Sequence, residues 1–304
     1  MTNRRKFLVE VTMAAGAATF LRPFSSFADF VTRPITPNTN TLTVLHTSNL
    51  AGQRKPLGAN EKLYGLGGLE NLCKNIRKIK TATLSTLVIH SGNIHSLHMP
   101  EKEISALYKE MTATGYDIVV PDQKDLKRGT ARVSASPENA GLPFMPMETV
   151  KTHGPLLQHR LVTKNSIQTA LVYVPVFKNP FLCAESLNDT VSFLRESKRC
   201  NLVICMAPCT ESNCSKLATL SAGVDVFISS APNAFLYNTK IVQNKNCEEA
   251  IISFAGGKGT MMSQMDITFN SEGNKIAFFS RPIFIGAENE SFATIIKRYG
   301  PWSA

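Results

Sequence analysis

The chain has 304 residues, of which 43% are hydrophobic and 18% are charged. This composition excludes a wholly disordered chain, a collagen and a coiled coil, and the length allows one large domain or two small ones. The net charge of +10 is spread along the chain, so it is a weak indication of an anionic partner and does not point to nucleic acid. No uncharged apolar stretch reaches the roughly 18 residues that a membrane span needs, so no transmembrane anchor is expected.

The first 28 residues have the pattern of an export signal. Arg4, Arg5 and Lys6 precede a modestly apolar stretch, and Ser26 and Ala28 supply the small residues of a cleavage site. The segment resembles a twin-arginine signal, which predicts a periplasmic or cell-envelope location. The alternative is a basic, amphipathic first helix of the fold.

Beyond this segment, predicted strands and helices alternate. Apolar periodicity predicts strands at 42–46, 84–90, 116–120, 168–176, 201–206, 225–229, 250–254, 264–269 and 275–279, and helices at 66–80, 101–114, 186–197 and 216–221. The pattern favours one mixed α/β domain at 42–285, between a linker at 29–41 and a carboxyl-terminal extension at 286–304. Residues 129–160 contain frequent Pro and Gly and are not assigned.

Several predicted strands lead into polar segments whose order is characteristic. These segments are Leu42–Asn49, Gly67–Leu69 before a basic helix, Leu87–Asn93, Met111–Val120, Cys200–Ala207 and Gly223–Ser230. Together they resemble the 5′-nucleotidase branch of the calcineurin-like metallophosphoesterases, over about residues 41–280. The resemblance implies an α/β fold with a four-layer α/β/β/α sandwich. In that family two divalent metals are bound at the strand ends.

The resemblance also implies metal ligands at positions where this chain has other residues. Those positions hold Asn49, Ala51, Asn93, Gln123, Lys124, Pro208, Ala231 and Asn233. The resemblance implies that the family has aspartates where this chain has Asn49 and Asn93. Alanine and proline side chains cannot coordinate a metal, and Lys124 would place a cation where metals should lie. No cofactor is therefore expected, and the chain is predicted to be a catalytically inactive binding or accessory protein. The alternative is a metal-dependent, 5′-nucleotidase-like phosphoesterase with a rearranged site.

The altered pocket suggests an anionic ligand. Lys124 supplies a positive charge, and Asn49, Asn93, Gln123 and Asn233 supply amide donors, so a phosphate or nucleotide phosphate could be bound without being cleaved. A decayed site with no ligand is the simpler alternative. An active relative of the same family is the protein partner that we expect, and the sequence makes no prediction about oligomeric state.

Two other groups of residues have metal-binding or redox chemistry. His90, His95, His98, Asp122 and Asp125 could form a rewired metal site, although core or solvent-facing histidines would give the same pattern. Cys200, Cys205, Cys209 and Cys214 have a spacing that matches no common zinc or iron–sulfur site. A small disulfide loop between Cys209 and Cys214, or buried thiols, is the favoured interpretation, and a redox or metal centre is the alternative.

Overall fold

The structure is a computed structural model. It describes residues 40–286 apart from 62, 84, 97, 122–124, 126–147, 151–156, 176–178 and 231–238, together with Thr294, and at 148–150 it describes the backbone alone. Residues 38–288 belong to one compact unit. The predicted signal segment lies outside the described residues, as do most of the predicted linker and extension.

The described strands form two sheets. In chain order the strands are β1 (Asn40–Ser48), β2 (Thr86–Ser91), β3 (Ile118–Val120), β4 (Glu148–Val150), β5 (Leu157–Lys164), β6 (Ile167–Tyr173), β7 (Leu202–Ala207), β8 (Val226–Ser229), β9 (Thr239–Gln243), β10 (Glu249–Phe254), β11 (Met261–Phe269) and β12 (Lys275–Phe284). The first sheet has the order β12-β11-β1-β2-β3 and the second has the order β4-β5-β6-β7-β8-β10-β9. Within them β1, β2 and β3 are parallel, and so are β6, β7, β8 and β10, which places the carboxyl ends of each set at one edge of its sheet.

Helices cover the outer face of each sheet. The helices are α1 (Leu69–Ala82), α2 (Glu101–Thr114), α3 (Pro180–Glu196) and α4 (Glu211–Leu220). α1 and α2 pack on the first sheet in one buried apolar cluster, α3 and α4 pack on the second sheet in another, and a third cluster fills the space between the sheets. These layers are the predicted four-layer α/β/β/α sandwich, which is confirmed.

The alternation of side chains along β1 shows how the sequence builds these layers. Leu42 and Val44 belong to the cluster between the sheets, whereas Leu45 belongs to the cluster under α1 and α2. Both faces of β1 are therefore buried, as expected for a central strand of a sandwich. The amphipathic helix α1 buries Leu69, Leu72 and its later apolar residues at helical spacing and leaves Lys74 and Lys78 exposed.

Two helices begin earlier than their apolar periodicity predicts, because polar capping residues start them. α3 begins at Pro180, where the Asn179 side chain accepts the backbone N–H of Phe181 at 2.9 Å. α4 begins after Thr210, whose hydroxyl accepts the backbone N–H of Asn213. In contrast, α2 has the predicted bounds, since Gly115 closes it in the left-handed conformation with φ 78°.

Three strands depart from the predictions, and two of them are edge strands. Half of β5 lies in the unassigned stretch, and β9 is an edge strand with polar and exposed residues that do not alternate clearly. β12 continues past its predicted end through Pro282, which an edge strand tolerates because one side of it makes no ladder hydrogen bonds. None of the helices in the described part of the chain is both long enough and apolar enough to span a bilayer.

Candidate functional site at the strand ends

The ends of β1 and β2 lie side by side, because parallel pairing sets Ser48 beside Ser91. The backbone turns sharply after each strand, with φ of 50° at Asn49 and 52° at Asn93. Asparagine tolerates this conformation better than most residues. The Asn49 N–H donates to the Gly92 carbonyl at 3.1 Å, and the Ala51 N–H donates to the Asn93 carbonyl at 2.8 Å. The structure therefore brings three of the predicted positions together.

The Asn49 side chain connects two further elements to this point. It is 8% exposed, and its Nδ2 donates to the Ser230 carbonyl, directly after β8, at 2.5 Å. Its Oδ1 lies 3.5 Å from Nδ2 of Asn93, a long hydrogen bond. The Asn49 carbonyl accepts the Lys258 N–H at 2.7 Å, from the turn that follows β10. One asparagine thus joins the ends of β1, β2 and β8 and that turn.

This donor set does not fit two divalent metal ions. Such a pair needs anionic carboxylates and imidazoles converging from several loops. Among the predicted positions that the structure describes, Asn49 and Asn93 are neutral amides, and Ala51 and Pro208 have no side-chain donor. The amide nitrogen of Asn49 is already bonded to Ser230. We therefore derive no reaction step through a metal at this edge.

The other predicted positions divide between the rim of the site and the undescribed part of the chain. Pro208 follows directly after β7 and is partly buried. Gln123, Lys124, Ala231 and Asn233 lie outside the described residues. The anion-binding arrangement around Lys124 consequently stays a prediction.

Asp125 and His95 have structural contacts. The fully buried Asp125 carboxylate accepts the backbone N–H of Ile94 at 3.0 Å and that of His95 at 3.4 Å. The His95 Nε2 lies 3.7 Å from Oδ1 of Asp125. These contacts fasten the loop that follows Asn93, which explains why a carboxylate is buried here.

The remaining histidines of the predicted metal set lie apart from this pair. His90 is buried in β2, where its Nδ1 lies 2.9 Å from the Thr47 hydroxyl and its ring meets Tyr116 edge to face, while His98 is exposed and Asp122 lies outside the described residues. Among the residues that the structure describes, no three His, Cys, Asp or Glu side chains are arranged to hold a metal ion. Because Asp122 is not described, the five-residue metal set stays a prediction.

Sequence reasoning missed His46 and the turn near residue 258. His46 is fully buried in β1 opposite Ser263, and neither of its ring nitrogens has a hydrogen-bond partner in the described part of the chain. Burial lowers its pKa to about 3 and that of His90 to about 4. The turn at 257–259 supplies the Lys258 backbone N–H that donates to the Asn49 carbonyl. No sequence pattern predicts either role.

Comparison with known proteins defines the fold class. No family model matches the sequence, and no curated protein shows a significant match. Solved structures do match, and they show the fold of the calcineurin-like metallophosphoesterases. The sequence resemblance is therefore supported at the level of the superfamily fold.

Three solved structures illustrate the likeness. A 5′-nucleotidase precursor from Thermus thermophilus has a TM-score of 0.66 and 14% identity, covering 87% of this chain and 59% of its own. An NAD nucleotidase from Haemophilus influenzae has a TM-score of 0.64 and 12% identity, covering 82% of this chain and 51% of its own. A calcineurin-like phosphoesterase from Bacillus subtilis has a TM-score of 0.58 and 14% identity, covering 86% of this chain and 96% of its own. The chain thus spans little more than half the length of the first two.

Replacing Asn49 with Asp tests the amide connection. Asn49→Asp keeps the side-chain shape but sets a carboxylate oxygen against the Ser230 carbonyl, so we expect the free energy of unfolding to fall by about 1–3 kcal/mol at pH 7. Urea unfolding in the presence of a chelator measures the change. Asn93→Asp is the matched control and should cost less, because among the described residues its amide makes only the 3.5 Å contact. An Asn49→Asp variant as stable as the wild type would contradict the proposed connection.

The buried histidines predict acid sensitivity. Their folded pKa values of about 3 and about 4 lie below the ordinary 6.5, so the stability they contribute is complete above pH 6.5 and is lost as pH falls toward 4. We expect His90→Gln, and separately His46→Gln, to reduce the loss of unfolding free energy between pH 7 and pH 5 by roughly 2 kcal/mol. The exposed His98→Gln variant is the control and should keep the wild-type pH dependence. Unchanged pH dependence in both buried variants would contradict this origin.

Proposed function

We propose that this chain is an exported binding or accessory protein that keeps the metallophosphoesterase fold without its dinuclear chemistry. The observation that carries the proposal is the amide of Asn49, which bonds to the Ser230 carbonyl where the family has a metal-binding carboxylate. Asn93 stands at the second carboxylate position and contributes another neutral amide. A metal-bound hydroxide needs ligands that the described positions do not supply.

The proposed ligand is a small molecule that carries phosphate, held at the strand ends by Lys124 and neighbouring amides. The proposal is supported by residue chemistry: a lysine ammonium is a point charge that binds phosphate, and carboxamides donate hydrogen bonds to it. Export by residues 1–28 to the periplasm or cell envelope, and pairing with an active relative, belong to the same proposal.

The rival function is a phosphoesterase with a rearranged site. Its support is that the similar solved structures are named as nucleotidases and phosphoesterases. Identities of 12–14% bring only the fold to this chain.

Metal content and turnover discriminate between the two functions. We expect elemental analysis of the purified protein to find no stoichiometric manganese or zinc. We also expect hydrolysis of a chromogenic phosphate monoester and of AMP to stay at the buffer rate with either metal added. An active nucleotidase of the same fold serves as the positive control. Stoichiometric metal together with turnover that a chelator abolishes would overturn the proposal, and His90, His95, His98, Asp122 and Asp125 would be the first residues to replace.

Calorimetric titration with inorganic phosphate and AMP tests the ligand. We expect Lys124→Ala to weaken binding by about 10-fold or more, since the ammonium makes charge-assisted hydrogen bonds with phosphate. Lys127→Ala removes a lysine three residues further along the same segment and should leave the affinity unchanged. Equal affinity in wild type and Lys124→Ala, or no binding by the wild type, would contradict a ligand at this position.

A further inference from the structure

Four cysteines meet beside the carboxyl end of β7. Cys205 lies in β7, Cys209 follows the strand, Cys214 lies in α4, and Cys183 comes from the first turns of α3. Cys183, Cys205 and Cys214 belong to the apolar cluster between the second sheet and its helices, and Cys209 packs against it. Cys205 and Cys183 are close enough to Cys209 for their ionisations to interact.

Cys200 belongs to the same apolar cluster but lies apart from these four thiols, although the sequence spacing groups it with Cys205, Cys209 and Cys214. It lies before the amino end of β7, while Cys209 lies beyond the opposite end. An extended chain rises about 3.3 Å per residue, so the five steps from Leu202 to Ala207 alone span about 16 Å. The four cysteines of the sequence run therefore cannot be the ligands of one metal or cluster. The spacing of the cysteines in the sequence does not predict that Cys183, and not Cys200, lies near Cys209.

Helix capping brings Cys209 and Cys214 together. Thr210 is the N-cap of α4, which makes Cys209 the residue before the cap and Cys214 the fourth residue of the helix. These two positions normally hold apolar side chains that pack against each other and fix the direction in which the chain enters the helix. Here both are cysteines, and the Cys209 thiol is the neighbouring group that most affects the ionisation of Cys214. The backbone is fixed as well, since the Cys214 N–H donates to the Thr210 carbonyl at 2.9 Å.

We propose that Cys209 and Cys214 are a disulfide-forming pair, a covalent link across the capping positions of α4, and that Cys209 is the thiol that reacts first. Cys209 is partly exposed, whereas Cys183, Cys205 and Cys214 are buried. An incoming oxidant therefore reaches Cys209 before the others. The neighbouring Cys209 thiol and burial raise the pKa of Cys214 well above the usual range, which fits a second thiol that reacts only with an adjacent sulfur.

The oxidant is a small or protein-borne disulfide, and the exchange balances. The Cys209 thiolate attacks one sulfur of the oxidant disulfide, forms a mixed disulfide and expels one thiolate. Cys214 passes its proton to that thiolate and attacks the Cys209 sulfur, which forms the internal disulfide and releases the second oxidant sulfur as a thiolate that takes up the proton lost by Cys209. The two cysteines lose two electrons and two protons, and the oxidant gains both as it becomes two thiols.

The link would fix a loop of the strand-end site. Cys209 directly follows Pro208, one of the altered ligand positions, and the Ser229 hydroxyl donates to the Cys209 carbonyl at 3.0 Å. Oxidation therefore ties this rim to the first turn of α4. The pairing depends on thiol geometry alone and is independent of the ligand proposed for the pocket.

Peptide mapping of the full chain tests the proposal. The reduced protein is equilibrated with oxidised glutathione, the remaining thiols are alkylated, and the chain is cut after Lys and Arg and after Glu. Cleavage after Arg199, Glu211 and Lys216 separates Cys209 from Cys214, so a disulfide holds peptides 200–211 and 212–216 together. We expect this linked pair, with fragmentation placing the bond on Cys209, and a fall from seven to five free thiols per unfolded chain.

Variants separate this pairing from others without relying on a loss of folding. Cys209→Ser and Cys214→Ser should each abolish the linked pair, and Cys200→Ser, which changes a cysteine on the same peptide, should leave it intact. The wild-type peptide map alone is decisive if a variant fails to fold. Seven free thiols after equilibration, or a bond from Cys214 to Cys200 or Cys205, would overturn the proposal.

Discussion

The side-chain amide of Asn49 is the contact on which the strand-end edge depends. It bonds to the carbonyl of Ser230 after β8, and its oxygen faces the amide of Asn93 after β2. The two sheets are held together along their length by apolar packing, but that packing has no direction, so it does not set the positions of the loops at one edge. The directional hydrogen bonds of the buried Asn49 side chain do set the positions of these loops. The Lys258 N–H, which donates to the Asn49 carbonyl, also fixes the turn after β10.

This arrangement replaces one kind of cross-link with another. In the family that the sequence resembles, two metal ions connect the loops through charged ligands, and a carboxylate at residue 49 would be repelled by the Ser230 carbonyl unless a cation lay between them. An amide needs no cation, because its N–H donates to that carbonyl directly. If Asn49 stands in place of a family aspartate, it therefore supplies a donor and also removes a charge. The sharp turns at positions 49 and 93 are compatible with either residue, which is why the backbone of the family can persist through the change.

The sequence predicts the layers and helix faces well, because both depend on local periodicity. The strand at 201–206 and the helix at 101–114 have clear apolar patterns and appear nearly where expected. The starts of α3 and α4 depend instead on Asn179 and Thr210, single capping residues that a periodicity count passes over. The partners of Asn49 could not be predicted at all, since Ser230 and Lys258 act through backbone atoms that any residue would supply. The same is true of Cys183, which joins the other thiols only through the packing of α3 on the sheet.

Charge gives a physical reason why phosphate recognition could outlast the loss of metals. In the family pattern two carboxylates offset part of the charge of two divalent cations, so the pocket remains positive toward a phosphate. In this chain Asn49 and Asn93 remove the carboxylates, and Lys124 of the proposed pocket adds a single positive charge. Under this proposal the strand ends would remain positive toward a phosphate without a Lewis acid or a metal-bound nucleophile. Anion binding needs only a positive potential and suitable hydrogen-bond donors, whereas hydrolysis also needs an activated water. Binding is therefore the part of the family's chemistry that these substitutions can preserve.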